Sequence, residues 1–238
     1  MSSFAVNSAP IDSSPLPGLL AQLNTDNPKH QLIALHQLAA LGDAGVQPLM
    51  DFLQARQQQV TYLDGTAYRL LWQSHASEAK TFLQEHWPNG LITPVSTQGI
   101  DYTELQRYLI NQEFEAADRL TLRKLCELAG TGAIQRGWLY FTEVENFPAQ
   151  DLSTLDQLWQ IYSEGKFGFS KQREVWLINN QNWEKLWEKI AWRKGNVWTR
   201  YPNDFIWELS APEGHLPLSN QLRGVRVMAS LLTHSAWT

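Results

Sequence analysis

The segment GKFGFSKQREVW, residues 165–176, gathers two phenylalanines, a tryptophan and three cationic side chains around one serine. A Gly-Lys pair can close a phosphate loop, in which backbone N–H groups cradle phosphate and a hydroxyl after the lysine reaches magnesium. That loop needs glycine five residues before the pair and Ser or Thr after it, and Gln160 and Phe167 stand there instead. Gly165 and Gly168 also fall short of G-x-G-x-x-G. Nucleotide binding is therefore excluded. The segment reads instead as Gly165 closing one helix and Ser170 capping the next, with Phe167 and Phe169 buried in the turn between them.

Other chemistry leaves little trace. H-E-x-x-H, G-x-S-x-G and C-x-x-C are all missing. His30 and His36 are six residues apart on an expected helix, hence on nearly opposite faces, and cannot share a metal. The single cysteine, Cys126, rules out an internal disulfide and reads as a small buried hydrophobe. Asp151, Asp156 and Glu164 read as cap and surface carboxylates. His215, in EGHLP, either touches a ligand or holds its turn. It is also the one residue placed to serve as an axial ligand if the protein were a haem enzyme.

The elements that must position these residues are helical. Asn27 is a cap candidate before Pro28, and Gly42 is a stop. Three further stretches with apolar residues three or four apart follow, up to His86 and Trp87. The pattern predicts an all-α chain: a small N-terminal helical bundle over residues 1–87, a linker over 88–99 and a core domain over 100–238. Residues 88–99 hold two prolines, two glycines and no charge, and the first ~25 residues, rich in Ser and Pro, read as an arm. Asp101 and Glu104 suggest a capping box. Residues 131–150 read as an irregular connection. NWEKLWEKIAW should stack Trp183 on Trp187. Ser219 should cap a last helix through SNQLRGVRVMASLLTHSAW. No stretch has a convincing strand pattern.

Residues 195–218 carry three prolines and four aromatic side chains without helical period, an apolar loop too long to be mere connection. Nine of the eleven tryptophans lie at or after Trp138. Residues 1–164 have 9 basic and 18 acidic side chains, whereas residues 165–238 have 10 and 6, so the C-terminal third could receive an anion. Without a dense basic run or an RNA-binding motif, nucleic acid is a poor partner. An aromatic cleft rimmed by arginines suits a large flat ligand with carboxylates. Burying ~300 Å2 of such a ligand would yield about 7–8 kcal/mol before association costs, so apolar area should set affinity and the arginines orientation. An adaptor whose aromatic loop docks a partner protein, without a ligand site of its own, is the alternative.

The run DLSTLDQLWQIYSEGKFGFSKQREVW, the loop with Trp198, Tyr201, Phe205 and Trp207, and then APEGHLP closely resemble the Genomes Uncoupled Four family of tetrapyrrole-binding proteins over roughly residues 98–235. The resemblance implies a cupped-hand helical core that binds protoporphyrin IX or magnesium protoporphyrin IX as ligand, with no permanent cofactor and no catalysis of its own. It implies stimulation of magnesium chelatase in chlorophyll biosynthesis together with the large porphyrin-binding chelatase subunit, which uses and releases those porphyrins. Carried onto this chain, the palm spans residues ~120–140 and ~195–226. Its contact residues are Trp198, Arg223 and Arg226, with Tyr201, Phe205, His215 and Leu216 beside them and Phe167 and Phe169 as floor or support. The expected protein is a monomer of cyanobacterial type and cytoplasmic. It has no transmembrane run or transit peptide, no counterpart of the plant C-terminal tail, and scope for peripheral association with thylakoid membranes.

Overall fold

A computed structural model describes residues 15–56, 60–219 and 225–237. The chain begins with α1 (Leu16–Leu23), α2 (Pro28–Ala40), α3 (Asp43–Ala55), α4 (Tyr62–Gln73) and α5 (Ser77–His86). Asn27 caps α2 as its type and place imply, accepting from the N–H groups of Lys29 and His30 at 3.0 and 3.4 Å. Thr61 and Asp64 close a capping box on α4.

Residues 88–99 follow α5 without regular structure, yet they are pinned along their length. Leu91 N–H donates to Tyr162 Oη at 3.0 Å, Gln106 Nε2 to Asn89 O at 2.7 Å, and Thr154 Oγ1 to Val95 O at 2.8 Å. Asp151 accepts from Thr97 N–H and from the Thr97 and Tyr102 hydroxyls at 2.7–3.0 Å. It was expected as a surface carboxylate and is instead fully buried. Burial pushes its pKa up, but the hydrogen bonds from Ser96, Thr97 and Tyr102 outweigh that and hold it below the usual range.

Beyond lie α6 (Thr103–Ile110), α7 (Phe114–Ala129), α8 (Thr131–Arg136), α9 (Phe141–Val144), α10 (Ala149–Tyr162), α11 (Phe169–Ile178), α12 (Trp183–Lys189) and α13 (Arg226–Leu232), then a 3-10 turn Ser235–Trp237. The expected irregular connection 131–150 thus holds two short helices. Strands expected nowhere occur once among the described residues, as a hairpin of β1 (Arg193–Lys194) and β2 (Val197–Trp198). The capping box expected at Asp101 and Glu104 is only half made. Asp101 accepts from Thr103 N–H at 2.8 Å, while Glu104 turns to the Tyr108 hydroxyl.

The core is one continuous apolar cluster threaded by α10, whose Leu152, Leu155, Leu158 and Trp159 are fully buried. α4 lies directly on α10: a Cβ on Gly65 would come within 2.0 Å of Ile161 O, so the backbones touch where no side chain fits. Glu164, another expected surface carboxylate, binds across this crossing to Arg69 Nη2 at 2.7 Å and His36 Nε2 at 2.9 Å. Burial works against its charge, but the His36 hydrogen bond and the charges of His36, Arg69 and Lys166 keep its pKa below normal.

Gly65→Ala should therefore destabilise the whole chain by roughly 3 kcal/mol, because neither backbone can give way. Gly18→Ala in α1, where a Cβ meets nothing within 4 Å, should gain up to about 1 kcal/mol of helix propensity. Urea unfolding of the two variants checks both signs.

Candidate functional site

The GKFGFS and EGHLP stretches meet in space. Gly168 N–H donates to Leu216 O at 3.0 Å and Gly214 N–H to Lys166 O at 2.8 Å. Lys166 Nζ reaches Leu209 O. Gln172 Nε2, from α11, holds Gly214 O and Pro217 O at 3.0 and 2.7 Å, and Trp192 Nε1 holds His215 O at 2.7 Å. Gly168 must be glycine twice over: its φ is 134°, and a Cβ would sit 2.7 Å from Asp156 Oδ1.

That carboxylate, rather than Ser170, caps α11. Ser170 lies one residue inside the helix, and its N–H donates to Asp156 Oδ1 at 2.8 Å. The cap is thus supplied from α10, ten or more residues upstream of where capping rules look. Asp156 is buried, and burial raises its pKa against the pull of hydrogen bonds from Ser170, Gln160 and Phe169.

From Trp176 to Trp207 the aromatic side chains form one connected series. Trp176 packs on Trp183 at 4.9 Å, Trp183 stacks on Trp187 at 5.5 Å as their spacing implies, and Trp187 stacks on Trp192 at 5.5 Å. Trp198 abuts Trp187 at 5.9 Å, with the Arg193 guanidinium over its ring at 5.9 Å. Trp192 meets Phe205, which in turn contacts Tyr201, Trp207 and His215 at 6.0, 5.7 and 5.1 Å.

This places the sequence candidates plainly. Trp198 and Tyr201 are 36% and 41% exposed, at the open end of the series. Phe205 is buried beneath Tyr201. Phe167, Phe169 and Leu216, the phenylalanines being those left open as floor or support, are completely buried, and Phe167 sits edge-on to Phe114 at 5.3 Å. Arg226 stands apart from the loop, at the first position of α13 and exposed, over the Phe141 ring at 5.3 Å. Arg223 lies outside the described residues. So do the residues directly after Ser219, where the last helix was expected to open; the Ser219 hydroxyl is 2.8 Å from Met228 Sδ, and α13 runs from Arg226.

His215 is buried with both ring nitrogens engaged. Nδ1 donates to Ile190 O at 2.6 Å, and Nε2 accepts from Ile206 N–H at 3.1 Å. Those two bonds define a neutral tautomer, and burial lowers its pKa. His215 braces the loop, and with both ring nitrogens engaged it has no free lone pair for an iron or magnesium in this arrangement. Among the described residues no group of His, Cys, Asp and Glu could hold a metal ion.

Sequence reasoning missed the residue that seats the loop. Asp118, buried in α7, accepts from Leu218 N–H at 2.6 Å, and the Tyr201 hydroxyl reaches toward the same carboxyl. A signal was available: Asp118 precedes Leu122 and Leu125 at i+4 and i+7, on the apolar stripe of its helix. It also missed Arg136, whose guanidinium lies over the rings of Trp138 and Tyr140 at 5.0 and 4.4 Å and pairs with Glu143 at 2.7 Å.

Taken together, these contacts close a ring of segments. α7 joins the loop through Asp118, the loop's end leads to α13, Arg226 joins α13 to α9, Arg136 joins α9 to α8, and α8 continues α7. Along this ring Ile134, Tyr140, Trp198, Tyr201, Ile206 and Val225 are all exposed apolar or aromatic side chains, interspersed with Arg119, Arg136 and Arg226. Such a rim can take a flat apolar body and orient anionic groups attached to it.

The chain matches the GUN4-like family over residues 95–235 and the ARM-like repeat domain of the GUN4 N terminus over residues 9–88. It is 49% identical over 228 residues to the Ycf53-like protein of Synechocystis, covering 95% of this chain and 98% of that one. It is 37% identical to the chloroplastic tetrapyrrole-binding protein of Arabidopsis thaliana over 142 residues, 56% of this chain and 54% of the relative. Among solved structures, that of GUN4 from Chlamydomonas reinhardtii superposes with a TM-score of 0.57 at 40% identity, covering 62% of this chain and 97% of that one. The ligand-free Arabidopsis thaliana GUN4 gives 0.54 at 36% identity, covering 61% and 99%.

Asp118 makes the loop pH-sensitive. Burial pushes its pKa to about 7, against the downward pull of Leu218 N–H, Tyr201 and Arg119. A carboxyl whose folded pKa is raised contributes stability below its unfolded pKa, and loses it as pH rises through the folded value. Global stability should thus decline between roughly pH 4 and pH 7 on account of this group. Asp118→Asn, which keeps an acceptor for Leu218 N–H, should flatten that decline in urea titrations across the range.

Proposed function

The chain belongs to the GUN4-like family, and from that membership we propose that it binds protoporphyrin IX and magnesium protoporphyrin IX on the ring formed by α7–α9, the 195–219 loop and α13. The observation that carries this reading is the rim itself: exposed Trp198, Tyr201 and Tyr140 on one series of segments with exposed Arg226 and half-buried Arg136. A macrocycle offers two flat apolar faces to the former and propionates to the latter.

In this role Trp198, Tyr201, Ile206 and Tyr140 cover the macrocycle, and Arg226 with Arg223 binds its carboxylates. Phe205, Phe167, Phe169 and Leu216 hold the aromatic side chains above them in place. His215 keeps the loop closed and leaves axial coordination of a bound magnesium to another donor. The residues 100–238 act as the ligand-binding unit, with 1–87 as a bundle docked behind it.

The protein acts as a monomer without catalysis of its own, handling porphyrin for the large subunit of magnesium chelatase and so stimulating chlorophyll synthesis. Among the described residues no helix is long and apolar enough to cross a membrane. Work in the cytoplasm of a cyanobacterium, with contact at thylakoid surfaces, fits the relative from Synechocystis.

Titrating protoporphyrin IX should quench tryptophan fluorescence saturably. Arg226→Ala should weaken binding roughly five-fold, the value of one partly screened charge interaction. Trp198→Ala should weaken it too; a variant that loses chelatase stimulation with porphyrin affinity intact would favour the adaptor reading. Linear, nonsaturable quenching would remove the porphyrin site.

A further inference from the structure

A second aromatic hollow lies on the opposite unit of the chain, where α4 and α5 face the start of the 88–99 segment. It is a groove of about 310 Å3 lined by Trp72, Lys80, Leu83, Gln84, Trp87 and Pro88. We propose that this groove is a separate ligand site that takes a planar aromatic carboxylate of one or two rings, with its ring between the indoles and its carboxylate on Lys80.

The walls are built in advance. Trp72 is 44% exposed, yet its indole N–H is already committed to Asn111 Oδ1 at 2.9 Å and its ring is stacked on Tyr68 with 12° between planes. Tyr68, nearly fully buried and edge-on to Tyr162 of α10, donates its hydroxyl to Trp87 O at 3.3 Å. Trp87 is held further by Phe82, edge-on at 5.7 Å. Both indoles are therefore fixed by the core while presenting ring surface to the groove, which is the preorganisation that makes an apolar contact productive. An indole face whose only polar atom is satisfied has nothing to gain from water.

The charge selects the ligand's sign. On α5 Leu83 and Gln84 fall within about 60° of Lys80, with Trp87 following at the C-cap, whereas Glu78 and Glu85 fall about 140–160° from Lys80 on the far face. Lys80 is exposed, and the groove's lining holds its positive charge and no carboxylate. Gln84 adds an amide at the rim. A volume near the lower end of small-molecule sites limits the ligand to one or two rings.

The eleven tryptophans give separate indole N–H resonances in heteronuclear NMR of the labelled full chain, and Trp72→Phe and Trp87→Phe identify two of them. Titration with naphthoate should move both saturably. Naphthylmethanol, or naphthoate against Lys80→Gln, should bind about five-fold more weakly, the scale of an exposed ion pair. Because Lys80 is exposed, that variant folds as the parent does. Resonances that do not move, or that move equally with acid and alcohol, would overturn the proposal. So would protoporphyrin IX shifting the same two resonances, since the groove would then belong to the porphyrin site.

Discussion

Tyr201, Phe205, Ile206 and Trp207 hang on a stretch of backbone, residues 199–219, that has neither helix nor sheet to satisfy its own polar groups. Buried peptide groups without partners cost about 1–3 kcal/mol each, so such a stretch can be ordered only if the rest of the fold supplies the partners. It does so from every side. Lys166 and Gly168 exchange bonds with Gly214 and Leu216, Gln172 takes two carbonyls, Trp192 takes a third, His215 bridges Ile190 and Ile206, and Asp118 takes Leu218 N–H. The donors and acceptors come from α7, α11, the turn before α11 and the turn after α12, which is why those elements must be where they are.

The same economy explains the sequence signature. GKFGFS at 165–170 and GHLP at 214–217 are far apart in sequence and each looks like an isolated turn, but they are two halves of one hydrogen-bonded clamp. Gly168 lets Asp156 approach, Asp156 caps α11, and α11 carries Gln172 to the loop. A change at any one of these would be felt at Trp198 and Tyr201, which touch none of them.

The N-terminal bundle is tied in by a different device. The Gly65–Ile161 backbone contact and the Arg69–Glu164–His36 group join α2 and α4 to the end of α10. A largely buried ion pair of this kind contributes little net stability, since desolvation offsets most of the attraction, but removing one partner leaves a charge stranded. Its effect is to fix one crossing of α4 over α10. Since Tyr68 and Trp72 on α4 touch Tyr162 and Asn111, the groove on the bundle and the core beneath the palm share a boundary.

Much of the architecture was legible in the sequence because it rests on local rules. Apolar period, the Asn27 cap and the Gly42 and Gly165 stops place the helices, and the spacing of Trp183 and Trp187 gives their stack, since neighbours on a helix surface are set by 3.6 residues per turn. The order of GKFGFS, the aromatic loop and GHLP identified the family. What local rules could not reach was anything contributed from elsewhere in the chain. Asp151, Asp156 and Glu164 look like cap and surface carboxylates of their own neighbourhood and become inward-facing acceptors only because Thr97, Ser170 and Arg69 are folded against them. Phe167 and Phe169 read equally as floor or support, and His215 as ligand contact or turn holder; all three are buried, because whether a side chain faces a pocket or a neighbouring helix is decided by packing. Sequence alone determined the helices and the kinship. Only the tertiary structure decided which carboxylates are buried and which aromatic faces stay open, since burial is a property of the assembled core.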